Sequence, residues 1–458
     1  MTPYLAALLW LISLVALLAY DPARKPGTVA LWIPTIWLVI LGSRLPSQWL
    51  GGGGYSAEAL TEGNPVDRTI FLCLIFLSIA LLAKRRFQWG VFFSSNPLMT
   101  LFLSYALLSV IWSDFPFVTF KRWFRDLGNY LVVLVPLAER APTEAIVTVL
   151  RRLFYLLIPV NVLIVKYFPD IGRQFDPWSG AGFYCGAATS KNVLGIVCLI
   201  SGLLFFWDAL VTWGKRKEKR MKRLLAVDIA FVIMTLWLLN LSNSATSRLC
   251  LGVGCLVIVV ARTRFTRRNP TPVKVLIPIC FLVYLMLSLG FNFNAMIAQA
   301  VGRDPTLTHR TEIWGILVGM HTNPILGVGY ETFWLGDRLD YIWRVFAPGL
   351  NEAHNGYLEM YLNLGLVGVL LLMGFLLSGY KLIWRRVVAG ADIASLNLAV
   401  WSVMLFYNMT EVGFRSGLMW LTVLFGMIRM PARPSLIRSS FAFTPPSNSM
   451  AVSKSSLN

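Results

Sequence analysis

The chain has 458 residues, of which 57% are hydrophobic and only 14% are charged, and its formal net charge is +19. Soluble domains carry about 25% charged residues. A water-soluble globular protein is therefore excluded, because one core could not bury this much apolar surface. A lipid bilayer can, since each spanning helix needs about 20 mostly apolar residues.

Apolar runs recur along the chain and predict an all-α polytopic membrane protein with 12 or 13 transmembrane helices. One membrane domain is expected over residues 1–430, and a Ser- and Pro-rich tail, 431–458, is expected to be disordered and cytoplasmic. The first run has no preceding Lys or Arg and predicts an anchored helix. The thirteen runs are 4–20, 28–42, 69–83, 97–112, 117–138, 150–168, 193–213, 224–241, 249–261, 274–291, 356–380, 393–410 and 416–428.

The distribution of charge predicts the orientation of the chain. With alternate loops on alternate sides, one side holds 27 of the 41 Lys and Arg residues and 7 of the 22 acids. This asymmetry is the positive-inside pattern of a bacterial inner-membrane protein. The net positive charge is therefore explained by membrane orientation, without a nucleic-acid partner. The same pattern predicts that the C-terminus lies in the cytoplasm. Whether the N-terminus lies inside or outside depends on whether the count is twelve or thirteen.

The largest outward segment is 292–355, a length that favours a functional loop over a connection. It contains a stretch of helical character, Thr308–Met320, followed by a Pro- and Gly-rich turn at 323–330. We therefore expect a large periplasmic loop with helices of its own.

Cations stand near the outer ends of several spans, where the positive-inside rule gives no reason for them. Guanidinium groups suit phosphate oxygens, and ionisable residues at membrane depth usually face a partner or a cavity. The alternative is local pairing, of Arg125 with Asp126 or Asp114 and of Arg310 with Glu312. The candidate anion-binding residues are Arg122, Arg125, Lys191, Arg248 and Arg310.

His354 stands where the large loop meets a strongly apolar run. On a regular helix at about 100° per residue, Gly365 and Gly368 would share its face and let other helices approach. A histidine at this boundary can take a proton from a hydroxyl, although capping of a helix is an equally simple role. No pattern typical of a metal site is present, so we expect an enzyme that needs no metal.

These residues resemble the O-antigen ligase and polysaccharide polymerase family. His354-Asn355, followed after nine residues by Gly365-x-x-Gly368, reproduces the family's signature at the end of its large loop. The segments 310–314, 323–329, 244–248 and 191–195 are also similar, and 112–122 resembles the exopolysaccharide polymerase branch.

The resemblance implies a membrane glycosyltransferase of the glycosyltransferase C-like fold, without a cofactor. It would transfer a glycan from undecaprenyl pyrophosphate to an acceptor glycan, with inversion, at the periplasmic face. His354 would be the general base, and Arg125, Arg248, Arg310 and Lys191 would hold the leaving pyrophosphate; Arg122 and Asn355 are further candidate binding residues. The lipid bilayer and other polysaccharide assembly proteins are the remaining candidate partners.

Three functions stay open. A polymerase would extend exopolysaccharide repeat units, and the 112–122 segment favours it. A ligase would move finished glycan to lipid A core. A transporter or flippase would use the outer arginines as an anion gate, but it should carry charges at the bilayer midplane and at both mouths.

Overall fold

The computed structural model describes residues 2–20, 29–51, 63–175, 180, 182–290, 310–320, 322–346, 349–415 and 417–431. The predicted tail lies almost wholly outside this range, as does most of the first half of the large loop. The described chain is almost entirely helical, with one two-stranded antiparallel hairpin. The predicted all-α polytopic class is confirmed.

Every one of the thirteen predicted apolar runs contains an α-helix. The α-helices are Pro3–Tyr20, Trp32–Leu41, Pro46–Trp49, Pro65–Lys84, Trp89–Ser95, Pro97–Leu108, Pro116–Leu137, Pro142–Tyr167, Pro169–Gly172, Lys191–Trp213, Lys219–Ser242, Ala245–Arg262, Arg264–Arg268, Pro270–Gly290, Arg310–Gly319, Asp337–Val345, Gly356–Val388, Asp392–Tyr407 and Leu418–Met427. The 3-10 helices are Val29–Leu31 and Ser109–Ile111, and the strands are Arg173–Phe175 and Gly182–Tyr184.

Helix length separates these runs into classes. Within the described residues, seven helices are long and apolar enough to cross a membrane, and a bent pair, Trp89–Ser95 with Pro97–Ile111, makes an eighth. Four shorter apolar helices and the polar-ended helix Pro116–Leu137 account for the other predicted runs. Thirteen is therefore reached only when shorter and broken helices are counted with the full spans.

The bent pair was not predicted. Its axis turns by 98°, and the turn lies at Asn96, directly before Pro97. The Asn96 side chain donates to the Phe92 carbonyl and to the Arg429 carbonyl, each at 2.9 Å, and accepts from the Arg429 N–H at 2.9 Å. The break is thus satisfied by polar contacts, as a chain interruption in an apolar environment requires.

The helix that carries Arg151 and Arg152 begins at Pro142, earlier than the predicted run at 150, and both arginines are buried. Arg151 forms ion pairs with Asp208 and, at 2.7 Å, with Asp228, and its Nε donates to the Tyr155 hydroxyl at 2.8 Å. These contacts join three helices. Arg151 therefore stabilises the bundle from inside and is not a surface charge.

The large loop has a hydrophobic core of its own, centred on Ile313, Leu317, Phe333, Trp334 and Ile342. Trp334 is buried and donates to Glu359 Oε1 at 2.8 Å. The indole of Trp334 therefore packs inside the loop. The loop is thus a packed body at the start of helix Gly356–Val388.

The predicted continuous helical face from His354 to Gly368 is wrong. The helix begins at Gly356, after His354, and Gly365 interrupts it with φ 63° and ψ −166°. Gly365 lies against the loop turn at Ile325, and a Cβ on Gly368 would meet Leu364 of the same helix. Gly365 therefore accommodates the loop turn and Gly368 the Leu364 side chain, and no continuous regular helix joins them to His354.

We expect Gly365→Ala to destabilise the protein by at least about 2 kcal/mol. Its backbone lies in a region that is essentially restricted to glycine, at a cost of order 1–3 kcal/mol for other residues. An added Cβ would also lie 2.2 Å from the Ile325 carbonyl oxygen. Thermal unfolding in detergent measures the effect. Gly374→Ala is the matched control, because there the Cβ would make only an ordinary contact, 3.5 Å from Leu98; equal losses in the two variants would contradict the assignment.

Candidate functional site

The N-terminal end of helix Gly356–Val388, residues 354–356, is called its mouth below, and hydrogen bonds fix it on both sides of Gly356. Asn355 is the N-cap, and its side chain accepts from the N–H groups of Tyr357 and Leu358 at 3.0 and 3.1 Å. The Gly356 N–H donates to the carbonyls of Asn408 and Glu411 at 2.9 and 3.0 Å. The loop that follows helix Asp392–Tyr407 is therefore anchored directly to this mouth.

His354 precedes the cap in a left-handed backbone conformation, with φ 49°. Such a conformation is uncommon for residues other than glycine and is frequent at functional sites. Backbone contacts on the preceding residue help to hold it, because the Ala353 N–H donates to Glu359 at 3.0 Å and its carbonyl accepts from Trp314 at 2.7 Å. The core of the large loop thus positions the imidazole.

Two carboxylates stand beside the imidazole. Nδ1 of His354 lies 3.0 Å from Glu352 Oε1 and 3.6 Å from Glu411 Oε2, and the side chain is 25% exposed. Burial alone would lower the pKa of His354, but the charge of Glu352 and the close contacts with the carboxylates of Glu352 and Glu411 outweigh it and raise that pKa to about 9. Burial raises the pKa of Glu352, and the facing imidazole more than reverses this and lowers it. At neutral pH we therefore expect His354 to be an imidazolium beside the carboxylates of Glu352 and Glu411.

Glu411 joins His354 to two other segments. Its Oε1 accepts from Arg310 at 2.9 Å, and its Oε2 accepts from the side-chain amide of Asn192 at 2.8 Å. Arg310 also donates to the Thr410 carbonyl. Burial raises the pKa of Glu411, but Arg310 and His354 lower it to about 2. Arg310 therefore forms its ion pair with Glu411, and the alternative pairing with Glu312 is not the contact found.

The donor atoms of Glu352, His354 and Glu411 lie within 4.8 Å of one another, a spacing that a metal ion could bridge. Both oxygens of Glu411 already accept hydrogen bonds, one of them from the Arg310 guanidinium. A cation at this position would face that guanidinium at close range. We therefore interpret the cluster as an ion-pair network.

A second ion-pair set adjoins the first. Arg415 donates to Glu331 Oε2 at 2.6 Å and to the Asn351 carbonyl at 3.4 Å, and Arg122 donates to the Glu331 carbonyl. Burial lowers the pKa of Arg415, but the acids around it, Glu331 first, raise it above its usual value. Arg122 is thus connected to the His354 cluster through Glu331 and the loop 408–415.

The other predicted cations make contacts away from His354. Arg125 contacts Asp126 at 3.4 Å, as the local-pairing alternative proposed. Arg248 donates to Asn243 Oδ1 at 2.7 Å. The Lys191 ammonium lies 5.1 Å from the Phe183 ring centroid, and the next residue, Asn192, is the one that reaches Glu411. Of the predicted cations, Arg310 and Arg122 are therefore the ones that these contacts bring to the cluster.

Sequence reasoning missed Glu352, Glu411, Arg415 and Glu331. A signal was present for two of them, because Glu411 and Arg415 both fall in the short outward loop between two apolar runs. Two charges in so short a loop at a membrane boundary favour a buried, paired role. For Glu352 and Glu331 we find no comparable pattern in the sequence.

Part of the chain matches a known protein family. Residues 229–373 match the family model described as O-antigen ligase, a segment that contains Arg248, Arg310, His354 and both signature glycines. The exopolysaccharide production protein ExoQ of Rhizobium meliloti is 25% identical over 290 residues, which cover 61% of this chain and 63% of that protein.

Two rickettsial proteins, both named as candidate polysaccharide ligases, also match. The one from Rickettsia felis is 24% identical over 303 residues, covering 59% of this chain and 68% of its own length. The one from Rickettsia conorii is 24% identical over 250 residues, covering 49% and 55%. The match thus spans less than two thirds of the rhizobial relative. The chain is a multi-pass membrane protein whose residues 229–373 match the O-antigen ligase family model, in line with the resemblance seen in its sequence.

Proposed function

We propose that this protein transfers a glycan from undecaprenyl pyrophosphate to a sugar hydroxyl, with inversion, at the periplasmic face of a bacterial inner membrane. The observation that carries the proposal is His354 at the mouth of helix Gly356–Val388, with Nδ1 lying 3.0 Å from Glu352 Oε1. A carboxylate on one ring nitrogen orients an imidazole and increases its basicity at the other, as in serine hydrolases.

In the proposed reaction the Nε2 atom of His354 takes the proton of the acceptor hydroxyl. The acceptor oxygen forms a bond to the anomeric carbon from the side opposite the pyrophosphate. The bond between that carbon and the pyrophosphate oxygen breaks, and undecaprenyl pyrophosphate leaves with the electron pair. No acid is needed at the leaving group, because pyrophosphate is already a stable anion.

The cations of the cluster would bind the leaving pyrophosphate. Arg310 is the best placed, since its guanidinium contacts the same carboxylate that lies 3.6 Å from His354. Arg122 would assist from the adjoining set. Arg125, Lys191 and Arg248, whose contacts are elsewhere, would act on more distant parts of the donor. Preorganised cations aimed at developing charge are usually the largest contribution to such catalysis.

We favour an exopolysaccharide polymerase over a ligase. The matching rhizobial relative is named for exopolysaccharide production, and segment 112–122 resembles that branch. The rickettsial relatives, named as candidate ligases, support the other acceptor. Both readings use the same bond-forming step, so they differ only in the acceptor glycan.

Purified full-length protein in lipid vesicles, supplied with undecaprenyl-pyrophosphate glycan and a candidate acceptor glycan, tests the proposal. We expect a new glycosidic bond of inverted configuration, detected by mass spectrometry and NMR, with release of undecaprenyl pyrophosphate. Transport of the glycan lipid between leaflets without bond formation would support the transporter instead. Products that are extended repeats identify a polymerase, and products on lipid A core identify a ligase.

A further inference from the structure

Glu411 contacts both Arg310, the proposed ligand of the pyrophosphate, and His354, the proposed base. One of its oxygens accepts from Arg310 at 2.9 Å, and the other lies 3.6 Å from Nδ1 of His354. The carboxylate is buried, with 4% of the residue exposed. A buried carboxylate between two cationic partners is costly to leave unpaired. Any ligand that takes Arg310 must therefore leave Glu411 with another partner.

The backbone around Glu411 is held in place, so a change of partner is a movement of the side chain. Asn408 Oδ1 accepts from the N–H groups of Gly413 and Phe414 at 2.8 and 3.0 Å. The Gly356 N–H donates to the Glu411 carbonyl at 3.0 Å. His354 is an alternative cation, since its Nδ1 lies 3.6 Å from Glu411 Oε2 and needs less than about 1 Å of approach to reach hydrogen-bond distance.

We infer that Glu411 is a positioning residue that couples an anion at Arg310 to a proton on His354, by exchanging the guanidinium for the imidazolium as its partner. The inference rests on the proposed function, because it assigns the anion to the donor pyrophosphate. When His354 is protonated, Glu411 has a replacement partner and Arg310 can turn to phosphate at low cost. When His354 is neutral, the same exchange would leave Glu411 buried without a cation.

The coupling has a use in the reaction. His354 gains the acceptor proton during the same step in which negative charge builds on the leaving pyrophosphate. Protonation of His354 gives Glu411 a new cationic partner, and this releases Arg310 to bind the pyrophosphate. Conversely, binding of Arg310 to the pyrophosphate leaves Glu411 free to stabilise the protonated His354. Coupling of this kind is reciprocal, so the pH that sets the proton on His354 must also set the affinity for the anion.

The test measures the binding of geranyl pyrophosphate to detergent-solubilised full-length protein by calorimetry, at pH 7.5 and at pH 10. These values bracket the pKa of His354, about 9. The probe's terminal phosphate ionises near pH 6 and is constant over this range. Because about a tenth of His354 stays protonated at pH 10, a coupling of roughly 5- to 150-fold should lower the affinity of the wild type by roughly 4- to 10-fold between the two conditions.

Charged groups other than Glu411 also face His354 or its partners, namely Glu352, Arg310, Arg415, Glu331 and Glu359. A pH dependence carried by these groups alone would persist when Glu411 is replaced. Glu411→Gln should bind the probe at least as tightly as the wild type at pH 10 and lose most of the pH dependence. His354→Asn should also lose it, with weak binding at both values. Asp340→Asn, an exposed acid of the same loop, should behave as the wild type.

A wild-type affinity that is equal at the two pH values overturns the inference, and so does a Glu411→Gln protein that keeps the full dependence. Thermal unfolding of each variant identifies any that do not fold, and Glu411→Asp, which keeps the charge, should restore part of the dependence. The transfer assay is independent of this result. If transfer requires His354 while binding of the probe is insensitive to pH, the proposed function stands and the coupling fails. If binding depends on pH as expected but no glycosidic bond forms, the coupling stands and the proposed function fails.

Discussion

Replacement of His354 by asparagine is expected to lower glycan transfer by about 10²- to 10⁴-fold, the range that a positioned general base contributes. Asparagine is preferred to alanine here because the backbone of His354 has φ 49°. Asparagine tolerates the left-handed region and alanine does so poorly, so the variant removes the base with little added strain. Initial rates at saturating donor and acceptor measure the effect.

Two controls separate a chemical role from a structural one. His321→Asn makes the same change at another histidine of the large loop and should leave the rate unchanged. His354→Gly also suits the positive φ, and added imidazole should restore part of its activity if the missing group is a base. A His354→Asn protein that is folded by thermal unfolding and retains full turnover would eliminate His354 as the base.

The positions of the membrane helices were predictable because a spanning helix must be apolar along most of its length. Where polar residues extend a helix beyond its apolar run, the predicted helix was too short. The run predicted to start at 150 belongs to helix Pro142–Tyr167, whose first turns contain Glu144 and the buried Arg151. Composition cannot distinguish a buried, paired arginine from a solvated one. For Arg151, the ion pairs with Asp208 and Asp228 offset the free-energy cost of burying its charge.

The site was predictable where a local motif marks it. His354, Asn355 and Arg310 were identified from short patterns, and the structure places them at one helix mouth or on its partner carboxylate. Their partners were not predictable in this way. Arg310 pairs with Glu411 across 101 residues of sequence, whereas sequence proximity favoured Glu312. Glu411 and Arg415 also lie beyond residues 229–373, the segment that matches the ligase family.

The break in helix Gly356–Val388 shows a different limit. A helical wheel assumes regular geometry, and it aligned Gly365 with His354. The sequence Gly-x-x-Gly is compatible with regular helix, and the interruption depends on the loop turn at Ile325, which lies against Gly365. The turn is itself positioned by tertiary contacts: the Gly329 N–H donates to the Asn363 carbonyl at 2.9 Å. In this chain Gly365 therefore accommodates the docked loop, which periodicity alone does not reveal.

The transfer rate is expected to rise with pH, to reach half its maximum near pH 9 and to level off above it. Only the neutral imidazole can accept a proton, and the folded-state pKa of His354 is raised to about 9. Below that value the neutral fraction falls about tenfold for each pH unit, so the rate at pH 7 should be roughly one hundredth of the plateau. Initial rates between pH 6 and pH 10.5 at low donor concentration report this limb for the unliganded protein.

Glu352→Gln provides the sharper test of the assigned cause. Among the interactions that raise the pKa of His354, the charge of Glu352 is the largest. Its removal should lower that pKa and move the rising limb to more acidic pH, while the plateau falls because the imidazole becomes a weaker base. Asp340→Asn, the same carboxylate-to-amide change at an exposed position of the loop, should leave the limb in place. A limb that stays near pH 9 in Glu352→Gln would mean that another group controls it, and a limb that shifts equally in both variants would indicate a general charge effect.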